Sequence, residues 1–473
     1  MNHFTKTILS VGATFFFQHA IAQDTWLKIE AGTEFSLAIK SDHSIWSWGN
    51  NTNGQLGIGN TDSQDAPVQV GTDTDWKTLS AGAFHTLAVK NDGTLWSWGL
   101  NTVGQLGLGN LTQQTAPTQV GADTDWKSVY AGQGHSVAIK NDSTLWAWGY
   151  NQYGQLGLGS TSNEVAPVQV GTAHEWIAAS CGGGHTIALK ADSSLWAFGY
   201  NGTGQLGDGS ITQRTSPVQI GTDTDWEELS AGFEFSLARK TNGTIWSWGF
   251  NGNGQLGIGN TTQSNAPVQI GSAQDWIKVE AGSSFAFAIN AANELFGWGY
   301  NGAGQLGLGN TSQQISPVHI GMENSWSDIS AAVGAINGQT VFGTHSLGLL
   351  APGYVICATG SNYIGQQGNG TTDQSLEFNC VTGDLTSGID ENITAAGFTV
   401  APNPSNGLFT LTVDATNAKG FSCKVMSITG QLLLETAVTD STFTIDLREF
   451  GTGVYMVVLE NATTSLKQRV VVE

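Results

Sequence analysis

The stretch DWKTLSAGAFHTLAVKNDGTLWSWGLNTVGQLGLGN, residues 75–110, decides the fold. It carries Trp76, a spaced pair at Trp96 and Trp98, and glycine-bounded segments the length of a short strand. It also repeats: Trp26, Trp76, Trp126, Trp176, Trp226, Trp276 and Trp326 recur every fifty residues. Such a period marks an array in which each unit buries its faces against its neighbours. Each unit reads as a "PVQV"-type strand, a turn ending in Trp, a strand into Ala-Gly, a strand such as His85–Lys90, a turn, and "LWSWG". Four short antiparallel strands are a propeller blade, and seven units predict seven blades. Asn91-Asp92-Gly93 reads as a hairpin whose Asp-Gly supplies the positive φ angles of a two-residue loop.

Side chains alternate along a strand, so Trp96 and Trp98 share one face and Leu95, Ser97 and Gly99 the other. The small residues Ser47, Ser97, Ala147, Ala197, Ser247 and Gly297 are expected to admit bulk from the adjacent blade, with the tryptophans as core. In this frame every unit opens on its "PVQV" strand, and the first lacks one before Trp26. Leu376 to Val381 lies in register with Pro67 to Val70 and is expected to pair with the first strand, closing the ring and hiding its edge.

Composition agrees with an all-β chain: 63 Gly and 17 Trp in 473 residues, with only 12% charged, suit tight turns joining aromatic strands. Lys and Arg number 17 against 38 Asp and Glu, a net charge of -21 that repels phosphate backbones, so no nucleic-acid partner is expected. Residues 1–22 read as a secretory signal, with Lys6, an apolar run from Ile8 to Phe17, and Ala20-Ile21-Ala22 before Gln23. No later stretch approaches the roughly 18 apolar residues of a membrane helix, so an exported monomer without a transmembrane segment is expected. Export permits disulfides, and Cys357 and Cys380 share one divergent repeat, so one bridge is possible; Cys181 and Cys423 sit in different domains.

Two signatures carry a family resemblance. Ala-Gly-x-x-His-Ser/Thr-x-Ala occurs at Ala81 to Ala88 and Ala131 to Ala138, and Trp-Gly-x-Asn-x-x-Gly-Gln-Leu-Gly at Trp98 to Gly107, Trp148 to Gly157, Trp248 to Gly257 and Trp298 to Gly307. They resemble the repeats of the RCC1 (regulator of chromosome condensation) family, over residues 26 to 381. Departures are Phe35, Phe235 and Phe285 in place of His, Phe198 in place of Trp, and a seventh unit in which Ile356 and Ala358 replace the tryptophans. That unit also has roughly ten extra residues around Ala331 to Val341. From Phe398 onward the period stops. Pro402 to Gly407, "VMSITGQLLLE", Ile445-Asp446-Leu447, Gly453-Val454-Tyr455 and the ending Lys467 to Glu473 resemble the type A C-terminal sorting domain of the type IX secretion system. That resemblance implies Bacteroidota, passage across the outer membrane and contact with the secretion machinery. The expected organisation is a signal peptide at 1–22, a seven-bladed RCC1-like β-propeller at 23–381, a linker at 382–395 and a small immunoglobulin-like β-sandwich at 396–473.

Motifs that look chemical are better explained by the frame. Gly202 to Gly207, Gly252 to Gly257 and Gly302 to Gly307 match a dinucleotide fingerprint, yet Gly257-Ile258-Gly259-Asn260 leads into a turn and a strand rather than a helix. His85, His135, His185 and His345 share one strand position and are expected to be packed side chains bonded to local backbone, not metal ligands. The "DTDW" carboxylates at Asp73, Asp75, Asp123, Asp125, Asp223 and Asp225 are expected to cap turns rather than chelate calcium. No nucleophilic triad is seen, and no cofactor or metal is expected.

Function is expected on one face of the ring, where the "AGxxH" and "WGxN" loops emerge together and the repeats differ most. The candidate residues there are Glu34, Phe84, Tyr150, Tyr200, Glu234, Phe250 and Tyr300. The leading reading is a secreted or surface binding protein recognising an extracellular protein or glycan, without enzymatic activity. A surface enzyme acting on glycan or peptide is the second, with Glu34 and Glu234 its suggestive pair. Guanine-nucleotide exchange on a small GTPase, implied by the resemblance, is the third, and export puts the protein in the wrong compartment for it.

Overall fold

The computed structural model describes residues 25–381, except 322–324, 335, 338–339, 342–343 and 352–354, and between 398 and 472 seven strands with the residues adjoining them. The expected signal segment and linker lie outside the described residues. The chain divides into two compact units, one of residues 1–349 and 355–383, the other of 350–354 and 384–473.

Seven four-stranded antiparallel sheets form the blades of the first unit. In the second blade Trp76–Ala81, His85–Lys90, Leu95–Gly99 and Gln114–Gln119 pair in chain order. The "PVQV"-type strand is therefore the last strand of a blade, not the first of the next, which corrects the expected frame. Its partner is the "LWSWG" strand before it, with Ser47 opposite Val68 and Ser97 opposite Thr118. The first blade is consequently complete: Trp26–Ala31, Phe35–Lys40, Ile45–Gly49 and Gln64–Gln69. Ser375–Val381 pairs with Val355–Gly360 in the seventh blade, and the expected pairing with the first strand does not form.

The ring closes instead by the packing that joins every pair of neighbours. Between the first and second blades Leu37, Ile39, Ile45, Leu56 and Val70 meet Trp76, Leu79, Ala88 and Trp98, all buried. Between the seventh and first, Leu347, Leu349, Ile356 and Ala358 meet Trp26, Ile29, Ala38 and Trp48 in the same arrangement. Indole burial on this scale contributes a few kcal/mol per side chain, at about 25 cal/mol per Å2. Each "GQLG" loop also reaches across to the next blade. Trp98 Nε1 donates to Gln55 O at 2.9 Å, and at the closure Trp48 Nε1 donates to Gln366 O at 3.0 Å. The loop's last glycine is what admits the indole: a Cβ on Gly57 would stand 2.7 Å from Trp98 Nε1.

Three local features follow. In the Asn91 turn only Gly93 has positive φ, and Lys90 accepts from Gly93 N while donating to Thr94 O. This is a three-residue loop, a type I turn ending on a left-handed residue, rather than the expected two-residue hairpin. In the seventh blade, Phe378 on the fourth strand takes the space left by the missing tryptophans, its ring 4.9 Å from that of Trp326. Beside it Cys357 and Cys380 are bonded across the last two strands, while Cys181 and Cys423 are free and buried.

In the second unit, Phe398–Ala401, Leu408–Val413 and Thr442–Asp446 form one sheet, and Leu432–Ala437, Ser422–Ser427, Gly453–Glu460 and Ser465–Val472 another. Phe409, Leu411 and Ile445 from the first share a core with Cys423, Val425, Val457, Leu459 and Val470 from the second, so the unit is a two-sheet sandwich.

Candidate recognition face

The frame that holds the loops of this face is the same in each blade. In the loop after Trp98, Asn101 Oδ1 accepts from Leu106 N at 3.0 Å, and Asn101 Nδ2 donates to Asn110 O and Thr112 O at 3.0 Å each. A buried Asn can satisfy that many backbone groups at once, which is why it recurs in each loop. The third residue of "WGxN" then bonds back to the residue before the His position. Asn50, Leu100, Tyr150, Tyr200, Phe250 and Tyr300 donate through their N–H to the carbonyls of Glu34, Phe84, Gly134, Gly184, Glu234 and Ser284. The two variable positions of each blade are thus neighbours.

The histidines belong to the frame and not to a site. His85 Nε2 lies 3.0 Å from Ser136 Oγ on the next blade, and Ser136 Oγ donates to Gln105 O at 2.7 Å. The hydroxyl's only hydrogen is then committed, so the imidazole donates from Nε2. His135 with Thr186, His185 with Ser236 and His345 with Ser36 repeat the arrangement. The expected bond to local backbone is thus replaced by a link between blades. Burial holds these imidazoles neutral, down to about 3 for His85, His185 and His345 and about 4 for His135.

On the other side of the ring, the "DTDW" carboxylates hold a lysine. Lys90 Nζ is 2.6 Å from Asp73 Oδ2 and 3.1 Å from Asp75 Oδ1, and it lies 4.7 and 4.8 Å from the rings of Trp76 and Trp96. Lys140 and Lys240 repeat this with Asp123, Asp125, Asp223 and Asp225. Burial works against the ammonium, but the two carboxylates outweigh it and raise the Lys90 pKa. The signal was present in the repeats. Where the second carboxylate becomes Glu175 it still takes Lys190, and Asp275 faces a blade with Asn290 at the lysine position.

The structure sorts the candidate residues. Glu34 is buried and engaged: its carboxylate accepts from Asn50 Nδ2 at 2.8 Å and from the Tyr363 hydroxyl. Phe84, Tyr150, Tyr200, Glu234, Phe250 and Tyr300 are half-buried. Tyr200, Phe250 and Tyr300 lie folded over Gly202, Gly252 and Gly302 of their own loops, where a Cβ would stand within 2.5 Å of each ring or hydroxyl. Tyr150 has Gln152 at that place, and its hydroxyl donates to Gln152 Oε1 at 2.6 Å. Tyr150 and Tyr200 are brought together by an exposed residue that sequence reasoning missed. Tyr153 stacks edge-on to Tyr150 at 6.0 Å between centroids and tilts against Tyr200 at 4.9 Å. Gly184 makes room, since a Cβ there would be 3.2 Å from Tyr153 and 3.3 Å from Tyr200. Glu234 lies close enough to Tyr200 for its charge, after burial, to raise the phenol. Phe84 and Tyr300 stand outside this cluster.

A family model described as RCC1-like domain matches residues 13–288. The chain belongs to the RCC1-like family. Two models of the RCC1 repeat extend the match over residues 276–305 and 293–335 of the RCC1-like chain. No curated protein matches it. Among solved structures, human WBSCR16 is 21% identical, with 72% of this chain and 94% of that one covered and a TM-score of 0.63. Prp20p from Saccharomyces cerevisiae, whose structure is described with its binding to Gsp1p and histones, is 17% identical over 77% of this chain and 88% of its own, TM-score 0.64. Yeast RCC1 (Prp20) as bound by Kap60 is 16% identical over 87% and 95%, TM-score 0.63. At these identities the likeness shows the propeller alone. A secretion system C-terminal sorting domain matches residues 399–473. The RCC1-like chain is therefore a type IX secretion substrate, delivered to the cell surface or beyond. No helix of the described residues is long and apolar enough to cross a membrane.

Proposed function

We propose that this protein is an extracellular binding protein, not an enzyme, and that it recognises its partner with the loop face of the third to fifth blades. The observation that carries this reading is the Tyr150, Tyr153 and Tyr200 cluster, set over Gly134 and Gly184 on the face where the repeats differ. Aromatic side chains on rigid, preorganised loops make strong anchors because little side-chain entropy is lost on contact. The enzymatic alternative needs two available carboxylates, and Glu34 is already taken up by Asn50 and Tyr363. An array of glycans and proteins probed with the mature chain tests the reading. Replacing Tyr153 and Tyr200 together by Ala should weaken retention of the partner by about 2 kcal/mol or more with the thermal midpoint nearly kept. Unchanged retention by a folded double variant would place recognition elsewhere.

A further inference from the structure

The seven blades present the same positions in different chemical company, and one comparison among them points to a ligand. Glu34 and Glu234 occupy the same place in the first and fifth blades, each bonding through its carbonyl to the third residue of its own "WGxN" loop. Glu34 is closed off: Asn50 donates to one oxygen, and the Tyr363 hydroxyl from the preceding blade's loop donates to the other. Around Glu234 both partners are gone. Phe250 stands where Asn50 does, and Gly202 stands where Tyr363 does. No described residue donates a hydrogen bond to the Glu234 carboxylate or forms an ion pair with it. Burial pushes that carboxyl above the usual carboxylate range. A half-buried carboxylate without a donor is costly in the free protein, so the site is prepared for a cationic group that none of the described residues supplies.

We propose that Glu234, with Tyr200 near it and Tyr153 packed on Tyr200, anchors a lysine side chain of a basic partner protein. The assignment rests on the reading of this face as the recognition surface, and it adds the partner's chemistry. A lysine ammonium satisfies the carboxylate, while its aliphatic stem covers the tyrosine faces, which attract cations in their own right. Charge supports the same partner: at -21 with 17 basic residues against 38 acidic, the molecule draws in positively charged proteins.

The test uses the mature full chain and two small probes, Nα-acetyl-lysine N-methylamide and its uncharged norleucine counterpart, followed by saturation-transfer NMR. The lysine probe should bind saturably and about tenfold or more tighter than the norleucine probe. Glu234→Gln should remove that preference, whereas Asp373→Asn, which takes the same charge from an exposed acid on the seventh blade, should keep it. Equal binding of the two probes, or a preference that survives Glu234→Gln, overturns the assignment. So does binding of choline in place of the lysine probe. The broader reading fails separately. If the array partner is lost on replacing Tyr153 and Tyr200 but held normally by Glu234→Gln, the face stands and the lysine anchor falls; if neither variant loses it, both fall.

Discussion

His185 shows how a single position writes itself into the whole ring. Its imidazole donates across the blade boundary to Ser236, and that hydroxyl donates onward to Gln205 O at 2.8 Å. At the next boundary the chain makes a different choice: Phe235 stands in the His position and faces Ala286, so hydroxyl and imidazole are dropped together. Replacing His185 by Ala should cost about 2–4 kcal/mol, from the cavity and the stranded hydroxyl. His185→Phe combined with Ser236→Ala copies the neighbouring solution and should cost less than about 1.5 kcal/mol in chemical denaturation. The pair also predicts a pH effect. The folded His185 titrates at about 3, below its ordinary 6.5, so the unfolded chain takes up the proton first as pH falls. Stability from this group is full above pH 6.5 and declines below it, by about 1.4 kcal/mol per pH unit until the folded value is reached. The double variant should therefore lose stability less steeply than the natural chain between pH 6 and pH 4, and parallel slopes would count against a buried neutral imidazole. At this scale the sequence showed which positions were frame, since they recur. It did not show partners across a blade boundary, and Tyr153 escaped notice because Asn53, Val103, Thr203, Asn253 and Ala303 hold its place elsewhere.

At the scale of strands and turns, strand type and order could be read directly, but the phase could not. A fifty-residue period has no intrinsic origin, and a "PVQV" strand before Trp76 is equally a strand after Gly49. What resolves the phase is the loop from Gly49 to Gln64, whose Asn51 and Gln55 bond so many of its own groups that it returns the chain to the same blade. The Ser375–Val381 strand then has a task other than the one its position suggested. It fills the seventh blade with Phe378 and fastens itself through Cys380 to Cys357. The bridge spans 23 residues, a loop for which cross-linking stabilises by about 3 kcal/mol. Replacing both cysteines by Ala should lower stability by that order and leave the other six blades packed. An unchanged denaturation midpoint would mean that the last strand is held by packing alone.

Across the whole molecule, the C-terminal domain supplies the address, and recognition is what we propose for the propeller. Deleting residues 396–473 should leave the protein in the periplasm of its native host, as cell fractionation would show, and display at the surface without them would contradict the sorting role. The proposed function requires that one face of the ring, centred on the third to fifth blades, meets the partner. Hydrogen–deuterium exchange of the mature chain, with and without the partner retained on the array, reads this directly. Protection should appear at the paired loops around Gly134 and Tyr150, Gly184 and Tyr200, and Glu234 and Phe250. Protection confined to the opposite turns, where Lys90, Lys140 and Lys240 are held by their aspartates, would contradict it.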